Sequence, residues 1–210
     1  MITDLTWREA LQRNSYRIQF LVTVAALLFI AVLIPQFFLY IQERGGYVLN
    51  DPVLNLLTPA QNFSVLIFTL IYSALITAII SFSIYPLVLL RAMQAYCLLT
   101  TLRVLSVLLI PLNDPPGIIV LNDPFVQILS YGGKAITKDL FFSGHVSTLF
   151  LLFLAAPKRW LKYFFLIITL IVATCILIQH VHYTIDVLAA PVFSWICYKI
   201  FFSIKKFEPR

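Results

Sequence analysis

The stretch Ile18–Ile41, IQFLVTVAALLFIAVLIPQFFLYI, contains no charged residue along its whole length. A helix needs about 20 consecutive apolar residues to cross the hydrocarbon of a bilayer, because every backbone polar group must be paired inside the segment. The same apolar character extends over the chain of 210 residues, of which 61% are hydrophobic and 11% are charged. A soluble domain carries roughly 25% charged residues. The sequence therefore predicts an integral membrane protein.

Further apolar stretches follow the first one along the chain. They predict an all-α polytopic membrane protein, a six-transmembrane-helix bundle with spans at Ile18–Ile41, Phe63–Ser83, Pro86–Ile110, Phe141–Ala156, Leu161–Ile178 and Thr184–Ile200. Residues 1–17 are the predicted cytoplasmic N-terminal segment, 18–203 the membrane domain and 204–210 a cytoplasmic tail. No short apolar region with a small-residue cleavage site occurs near the N-terminus, so we expect the first span to remain as an anchor.

The basic residues are unevenly distributed between the two sides of the predicted bundle. Cytoplasmic loops are enriched in Lys and Arg. With the N-terminus inside, the cytoplasmic set is Arg8, Arg13, Arg17, Arg91, Lys158, Arg159, Lys162, Lys199, Lys205, Lys206 and Arg210, and the outer set is Arg44, Lys134 and Lys138. We therefore expect both termini in the cytoplasm. The net charge of +6 does not indicate nucleic-acid binding, because no basic cluster is interleaved with aromatic residues.

This orientation places all three histidines at the outer face, where the longest predicted loop, Asn113–Lys138, also lies. The string Leu-Asn-Asp-Pro occurs twice in the predicted outer loops, at 49–52 and at 121–124. We interpret it as ordinary turn chemistry, since Asp-Pro pairs are common in turns. The three cysteines lie in apolar segments without metal-ligand spacing, and we interpret them as small buried hydrophobic residues.

The segment Asp139–His145, DLFFSGH, precedes the fourth predicted span. Gly144 permits close approach of a ligand, and the free N–H groups of a helix start attract phosphate. Ser143 is a candidate for a phosphate hydrogen bond. The alternative is a plain helix start, with Ser143 as the N-cap and His145 at the membrane interface.

The segment His180–Asp186, HVHYTID, precedes the sixth predicted span. On a helix, positions 182 and 186 are offset by about 40°, so Asp186 can hold the imidazole of His182 in one tautomer, as in acid–base and nucleophilic catalysis. On the same helical count, the side chain of His180 points to a different face from that of Asp186. Two alternatives remain: a His–Asp pair that only closes the helix end, and a metal site formed by His145, His180, His182 and Asp186.

Arg103 lies in the middle of the third predicted span. A cation at that depth costs a few kcal/mol on the insertion scale, about 3 for arginine, so it should face a cavity, a partner or a substrate phosphate. The alternative is that its long side chain reaches back to the interface.

Together, Asp139–His145 and His180–Val187 resemble the second and third signatures of the type 2 phosphatidic acid phosphatase superfamily. They are most similar to the sphingomyelin synthase branch, which has an acidic residue six positions before the histidine of Phe-Ser-Gly-His and the pattern His-x-His-Tyr-Thr-x-Asp-Val. The phosphatase branch usually carries Ser-Arg where this chain has Cys175 and Ile176. A weaker similarity covers Arg91 to Gly117, so the expected catalytic core is about 91–200. The chain lacks a clear counterpart of the branch's first outer-loop motif.

The resemblance implies transfer through a phosphohistidine, without a metal or a cofactor. It implies that His182 attacks the phosphorus, that Asp186 orients His182, and that His145 exchanges protons with the alcohols. It gives Asp139 an assisting role. The residues expected to contact substrate or phosphate are Ser143, Gly144, Arg103, His180 and Tyr183.

The implied substrates are membrane lipids: a phospholipid that donates its phospho-head group, and a lipid acceptor such as ceramide or diacylglycerol. With water as the acceptor, the same residues would make a lipid phosphate phosphatase. A non-enzymatic transporter or scaffold is the third hypothesis, although no inverted repeat is visible in the sequence.

Overall fold

The computed structural model describes residues 5–122 and 136–203 of the chain. The predicted tail 204–210 and residues 123–135 of the long outer loop, including Lys134, lie outside the described residues. Within the described ranges the regular elements are helices: α1 Trp7–Gln12, α2 Asn14–Glu43, α3 Pro52–Leu56, α4 Ser64–Phe82, α5 Pro86–Leu109, α6 Gly144–Ala155, α7 Arg159–Ile178 and α8 Thr184–Phe202.

Five of these helices, α2, α4, α5, α7 and α8, are long and apolar enough to cross a membrane. They match five of the six predicted spans and make this a multi-pass membrane protein. Local sequence explains where α5 begins. Pro86 begins α5, where a proline loses no helical hydrogen bond.

The fourth predicted span, Phe141–Ala156, differs from the prediction because the helix there is only α6, of 12 residues. At 1.5 Å per residue, α6 rises about 18 Å, which is less than a full crossing. The helix cannot start at Phe141, whose φ of 108° lies outside the helical region. Ser143 is the N-cap instead, and its hydroxyl accepts a hydrogen bond from the N–H of Val146.

The helix α6 is nevertheless the centre of the bundle. It packs most extensively against α7 and α8, while α5 packs against α8, α2 and α6. The hydroxyl of Ser194 on α8 donates to the carbonyl of Ser147 on α6 at 2.8 Å. By contrast, only 6% of the apolar window of α2 is buried inside the protein, as expected for a helix that faces lipid.

Hydrogen bonds group the helix ends into two sets. At one end, the indole of Trp7 donates to the carbonyl of Ser83 at 2.6 Å, and the hydroxyl of Tyr16 donates to that of Pro86 at 3.0 Å. The start of α2 therefore lies beside the α4–α5 turn.

The other end of the bundle contains the starts of α4, α6 and α8 and the ends of α2, α5 and α7, and we call it the histidine end. Arg44, after α2, donates to the carbonyls of Val107 and Leu108 on α5. The N–H of Phe63, before α4, donates to the side chain of Gln179, after α7, at 2.8 Å. All three histidines lie at this end.

Candidate active site

The imidazole of His182 and the carboxylate of Asp186 form a buried pair. The two are 3.2 Å apart, from Nδ1 to Oδ2, and their side chains are 4% and 0% exposed. Because a carboxylate oxygen accepts, Nδ1 carries the proton and Nε2 keeps a free lone pair. This is the arrangement that makes an imidazole nitrogen available to attack an electrophile.

The pair forms in a different way from the one that the sequence predicted. Since α8 begins at Thr184, His182 precedes the helix, and the two residues are not neighbours on one helical face. Asp186 instead turns back toward the start of its own helix, where its carboxylate also accepts the N–H of Tyr183 at 3.2 Å. The contact is therefore a capping interaction that includes the histidine.

The start of α6 lies against the start of α8. The N–H of Ser143 donates to the backbone carbonyl of Asp186 at 3.1 Å. His145, in the first turn of α6, packs edge-on against Phe68 with ring centroids 6.0 Å apart. His145 is close enough to both His182 and Arg103 for electrostatic interaction. The two predicted motifs thus meet, although 37 positions separate the two histidines in the sequence.

The guanidinium of Arg103 extends from α5 into the same place. It forms an ion pair with the carboxylate of Asp139 and lies 6.0 Å from the ring centroid of Phe38. It also occupies the space directly beside Gly144, where an added Cβ atom would collide with it. Gly144 is therefore required for the close approach of Arg103 to the start of α6.

Four polar atoms of this cluster are buried without a hydrogen-bond partner among the described residues: Arg103 Nε, Asp139 Oδ1, His145 Nδ1 and Asp186 Oδ1. Buried polar groups are rarely left unpaired unless water or a ligand completes them. The cluster combines one guanidinium, two imidazoles and the N–H groups of a helix start. Such a set can bind a phosphate and transfer protons beside it.

His180 and Tyr183 do not contact the His182–Asp186 pair through their side chains. The Nδ1 of His180 is 3.0 Å from the carbonyl oxygen of Pro116. The hydroxyl of Tyr183 donates to the carbonyl of Asn113 at 3.0 Å and accepts the N–H of Leu49 at 3.2 Å. Both residues therefore attach the loops of the histidine end to the start of α8.

No group of three or more His, Cys, Asp or Glu side chains among the described residues is arranged to hold a metal ion. The alternative of a site formed by His145, His180, His182 and Asp186 therefore has no support in the geometry. His180 is engaged with a backbone carbonyl and is not directed toward the other two histidines.

Asp51 is a residue of this region that the sequence analysis missed. Its carboxylate accepts hydrogen bonds from the N–H of Thr184 at 2.6 Å and from the hydroxyl of Thr184 at 3.0 Å. It also accepts the N–H groups of Val53 and Leu54, and so caps α3. Its place in the repeated Leu-Asn-Asp-Pro string is the sequence signal for Asp51, but turn chemistry alone accounts for such a string.

These contacts affect the titration of Asp51. Burial raises the pKa of its carboxyl, but the hydrogen bonds from Thr184, Leu54 and Val53 outweigh burial and hold the pKa below its usual value of 3.8. The ionised form is therefore the one that the folded protein favours.

A profile described as PAP2 superfamily C-terminal matches residues 138–204, which include α6, α7 and α8. The members of this superfamily are typically phosphatases or phosphotransferases. The match covers about a third of the chain and does not distinguish the sphingomyelin synthase branch. No curated protein and no solved structure is significantly similar to the chain.

We expect Asp51→Asn to destabilise the protein near neutral pH, because an amide cannot accept all the hydrogen bonds that this carboxylate accepts. A carboxyl whose pKa is lowered by folding contributes stability above its unfolded value, and this contribution is lost as the pH falls through the folded value. The difference in melting temperature between wild type and Asp51→Asn, measured in detergent, should therefore shrink below about pH 3.8. A constant difference from pH 7 to pH 3 would contradict this role of Asp51.

Proposed function

We propose that this protein is a membrane lipid phosphotransferase that moves a phospho-head group from a phospholipid to a lipid hydroxyl through a phosphohistidine. The observation that carries the proposal is the convergence of His145, Arg103 and the His182–Asp186 pair around unpaired buried polar atoms. The superfamily match over residues 138–204 supports the same reaction class.

In the first step, Nε2 of His182 attacks the phosphorus, and the bond from phosphorus to the diacylglycerol oxygen breaks. His145 gives its proton to that oxygen, so the alcohol leaves neutral. Asp186 accepts the hydrogen bond from Nδ1 and stabilises the charge that develops on the ring. Arg103 stabilises the negative charge on the phosphoryl oxygens.

In the second step, the oxygen of the acceptor hydroxyl attacks the phosphorus while His145 accepts the proton of that hydroxyl. The phosphorus–nitrogen bond breaks and His182 is regenerated. With ceramide or diacylglycerol as acceptor the enzyme is a transferase. With a lipid phosphate as the donor and water as the acceptor, the same residues make a lipid phosphate phosphatase, which the superfamily match also supports.

The transfer is tested with the full-length protein in vesicles that contain a labelled phospholipid, with or without ceramide. We expect a labelled lipid product that depends on ceramide. His182→Ala should lower its rate at least about 1000-fold, because removal of a nucleophile removes the covalent route. His145→Ala should lower it about 100-fold, the usual contribution of a general acid.

The outcomes of this assay separate the three hypotheses. Hydrolysis, with water as the acceptor, is identified by release of a phospho-alcohol from the phospholipid, or of phosphate from a lipid phosphate, without a ceramide product. Full turnover in His182→Ala contradicts the phosphohistidine mechanism. No turnover by a folded wild-type protein favours the transporter or scaffold.

The proposed role of Arg103 is tested with a substitution of Gly144, which lies beside the guanidinium. In Gly144→Ala the new methyl group displaces the guanidinium, and a displacement of about 1 Å at a reacting group costs about 100-fold in rate. The matched control is Gly45→Ala, because nothing lies within 4 Å of an added Cβ there. We expect kcat/KM to fall about 100-fold in Gly144→Ala and to stay unchanged in Gly45→Ala. Equal activities of the two variants would remove Arg103 from the proposed mechanism.

We also propose six crossings, with α6 and its flanking residues as the fourth, both termini in the cytoplasm and the histidine end on the extracytoplasmic side. The charges support this orientation. Among the described residues, Arg44 and Lys138 lie at the histidine end, whereas Arg8, Arg13, Arg17, Arg91, Lys158, Arg159, Lys162 and Lys199 lie at the opposite end.

The orientation is tested by labelling intact cells with a membrane-impermeant maleimide. Gly45→Cys places a thiol at the histidine end, and Arg159→Cys places one at the opposite end, where Arg159 is exposed. We expect labelling above the wild-type background in Gly45→Cys alone. Labelling of Arg159→Cys alone would reverse the orientation.

A further inference from the structure

A cavity of about 330 Å³ opens at the histidine end, beside the turn that carries His182. Its polar lining residues are Asn50, Asp51, Asn55, Thr58 and His180, and its other lining residues are aliphatic or proline. His182 is only two residues from His180, so their Cα atoms are at most about 7 Å apart. The cavity is thus adjacent to the proposed phosphoryl-transfer site but does not include it.

We propose that this cavity binds the head group of the donor phospholipid, and that the head group it fits carries O–H or N–H donors. The inference rests on the proposed function. In a transfer of a phospho-head group, the head group stays attached to the phosphorus through both steps. It therefore needs its own space, on the side of the phosphorus away from the lipid chains. A substrate with a bare phosphate needs no such space.

The size and position of the cavity fit this role. A volume of about 330 Å³ is at the lower end of the range for small-molecule pockets, enough for a head group but not for acyl chains. Asn50, Asn55 and Thr58 are exposed at its mouth, whereas His180 is buried in its wall. The cavity is at the end of the bundle, where lipid head groups lie if the bundle spans the bilayer.

The lining determines which head group is favoured. Among the described residues, no Lys or Arg and no Phe, Tyr or Trp lines the cavity. A second phosphate lacks a cationic partner there, and a quaternary ammonium lacks the aromatic rings that recognise it. The side-chain oxygens of Asn50, Asn55 and Thr58 can accept hydrogen bonds, and the Asp51 carboxylate, which is bonded to Val53, Leu54 and Thr184, adds negative charge. Hydroxyl groups and a primary ammonium satisfy such a lining.

His180 adds a further acceptor in the wall. Its Nδ1 is 3.0 Å from a carbonyl oxygen, which can only accept, so Nδ1 is protonated and Nε2 of the neutral ring is an acceptor. That Nε2 atom is buried and has no partner among the described residues. His180 also has a φ of 57°, in the left-handed region that few residues with side chains adopt and that is common at functional sites.

The test uses donor competition in one vesicle. The full-length protein is incubated with ceramide and equal amounts of phosphatidylethanolamine, phosphatidylglycerol and phosphatidylcholine, and the three phospho-ceramide products are measured by mass spectrometry. We expect the ethanolamine and glycerol products each to exceed the choline product about tenfold, the effect of one buried hydrogen bond.

Variants of the lining show whether the cavity causes this selectivity. Asn55→Leu and Thr58→Val remove polar groups from the cavity. We expect both to bring the ratios of the ethanolamine and glycerol products to the choline product toward one. Thr69→Val is the matched control, since Thr69 is exposed on α4 and, among the described residues, its hydroxyl bonds only to the carbonyl of Val65 in its own helix. It should keep the wild-type ratio.

The outcomes separate this inference from the proposed function. Equal products, a preference for choline, or a ratio that the lining variants leave unchanged would overturn the head-group assignment, while transfer itself would stand. If no lipid product forms from any donor, the transferase proposal falls and the head-group assignment falls with it.

Discussion

The candidate active site depends on the burial of one carboxylate, that of Asp186. A carboxylate in an apolar bundle is costly unless charged or polar partners surround it. Here His182 and the N–H of Tyr183 both contact its Oδ2 atom, and the backbone carbonyl of Asp186 accepts the N–H of Ser143. These contacts offset the cost of burial and, at the same time, join the start of α8 to the start of α6. The requirement to pair Asp186 therefore brings the two histidine motifs together.

The need to pair buried polar groups also explains why the loops of the histidine end are closely attached to the helices. Gln179 is fully buried, and its amide bonds to Phe63, Ser64 and Ile119. Tyr183 is equally buried and bonds to the backbone of two loops. An unpaired polar group in an apolar interior is costly, so hydrogen bonds of this kind stabilise the buried side chains. The resulting network makes the walls of the site rigid, which favours the fixed geometry that a transfer reaction requires.

Arg103 shows how this protein accommodates a cation within an apolar helix. Its charge is compensated by Asp139, and its guanidinium lies in the space left by the missing side chain of Gly144. The neighbouring ring of Phe38 covers it. A guanidinium held by one carboxylate still has donors for a phosphate, because it carries five N–H groups. Its Nε is the atom that has no partner among the described residues.

The sequence by itself determined that the chain is helical and crosses a membrane several times, because in lipid only apolar segments with internally paired backbones are stable. It also predicted the residues of the candidate site, since the two short motifs are local patterns. It did not determine that α6 is short, because the left-handed backbone of Phe141 depends on its surroundings. Nor did it show that Asp51 holds the start of α8 or that His180 lies beside a cavity. Those facts depend on contacts between residues that are far apart in the chain, so only the tertiary structure, in which distant polar groups pair with one another, decided them.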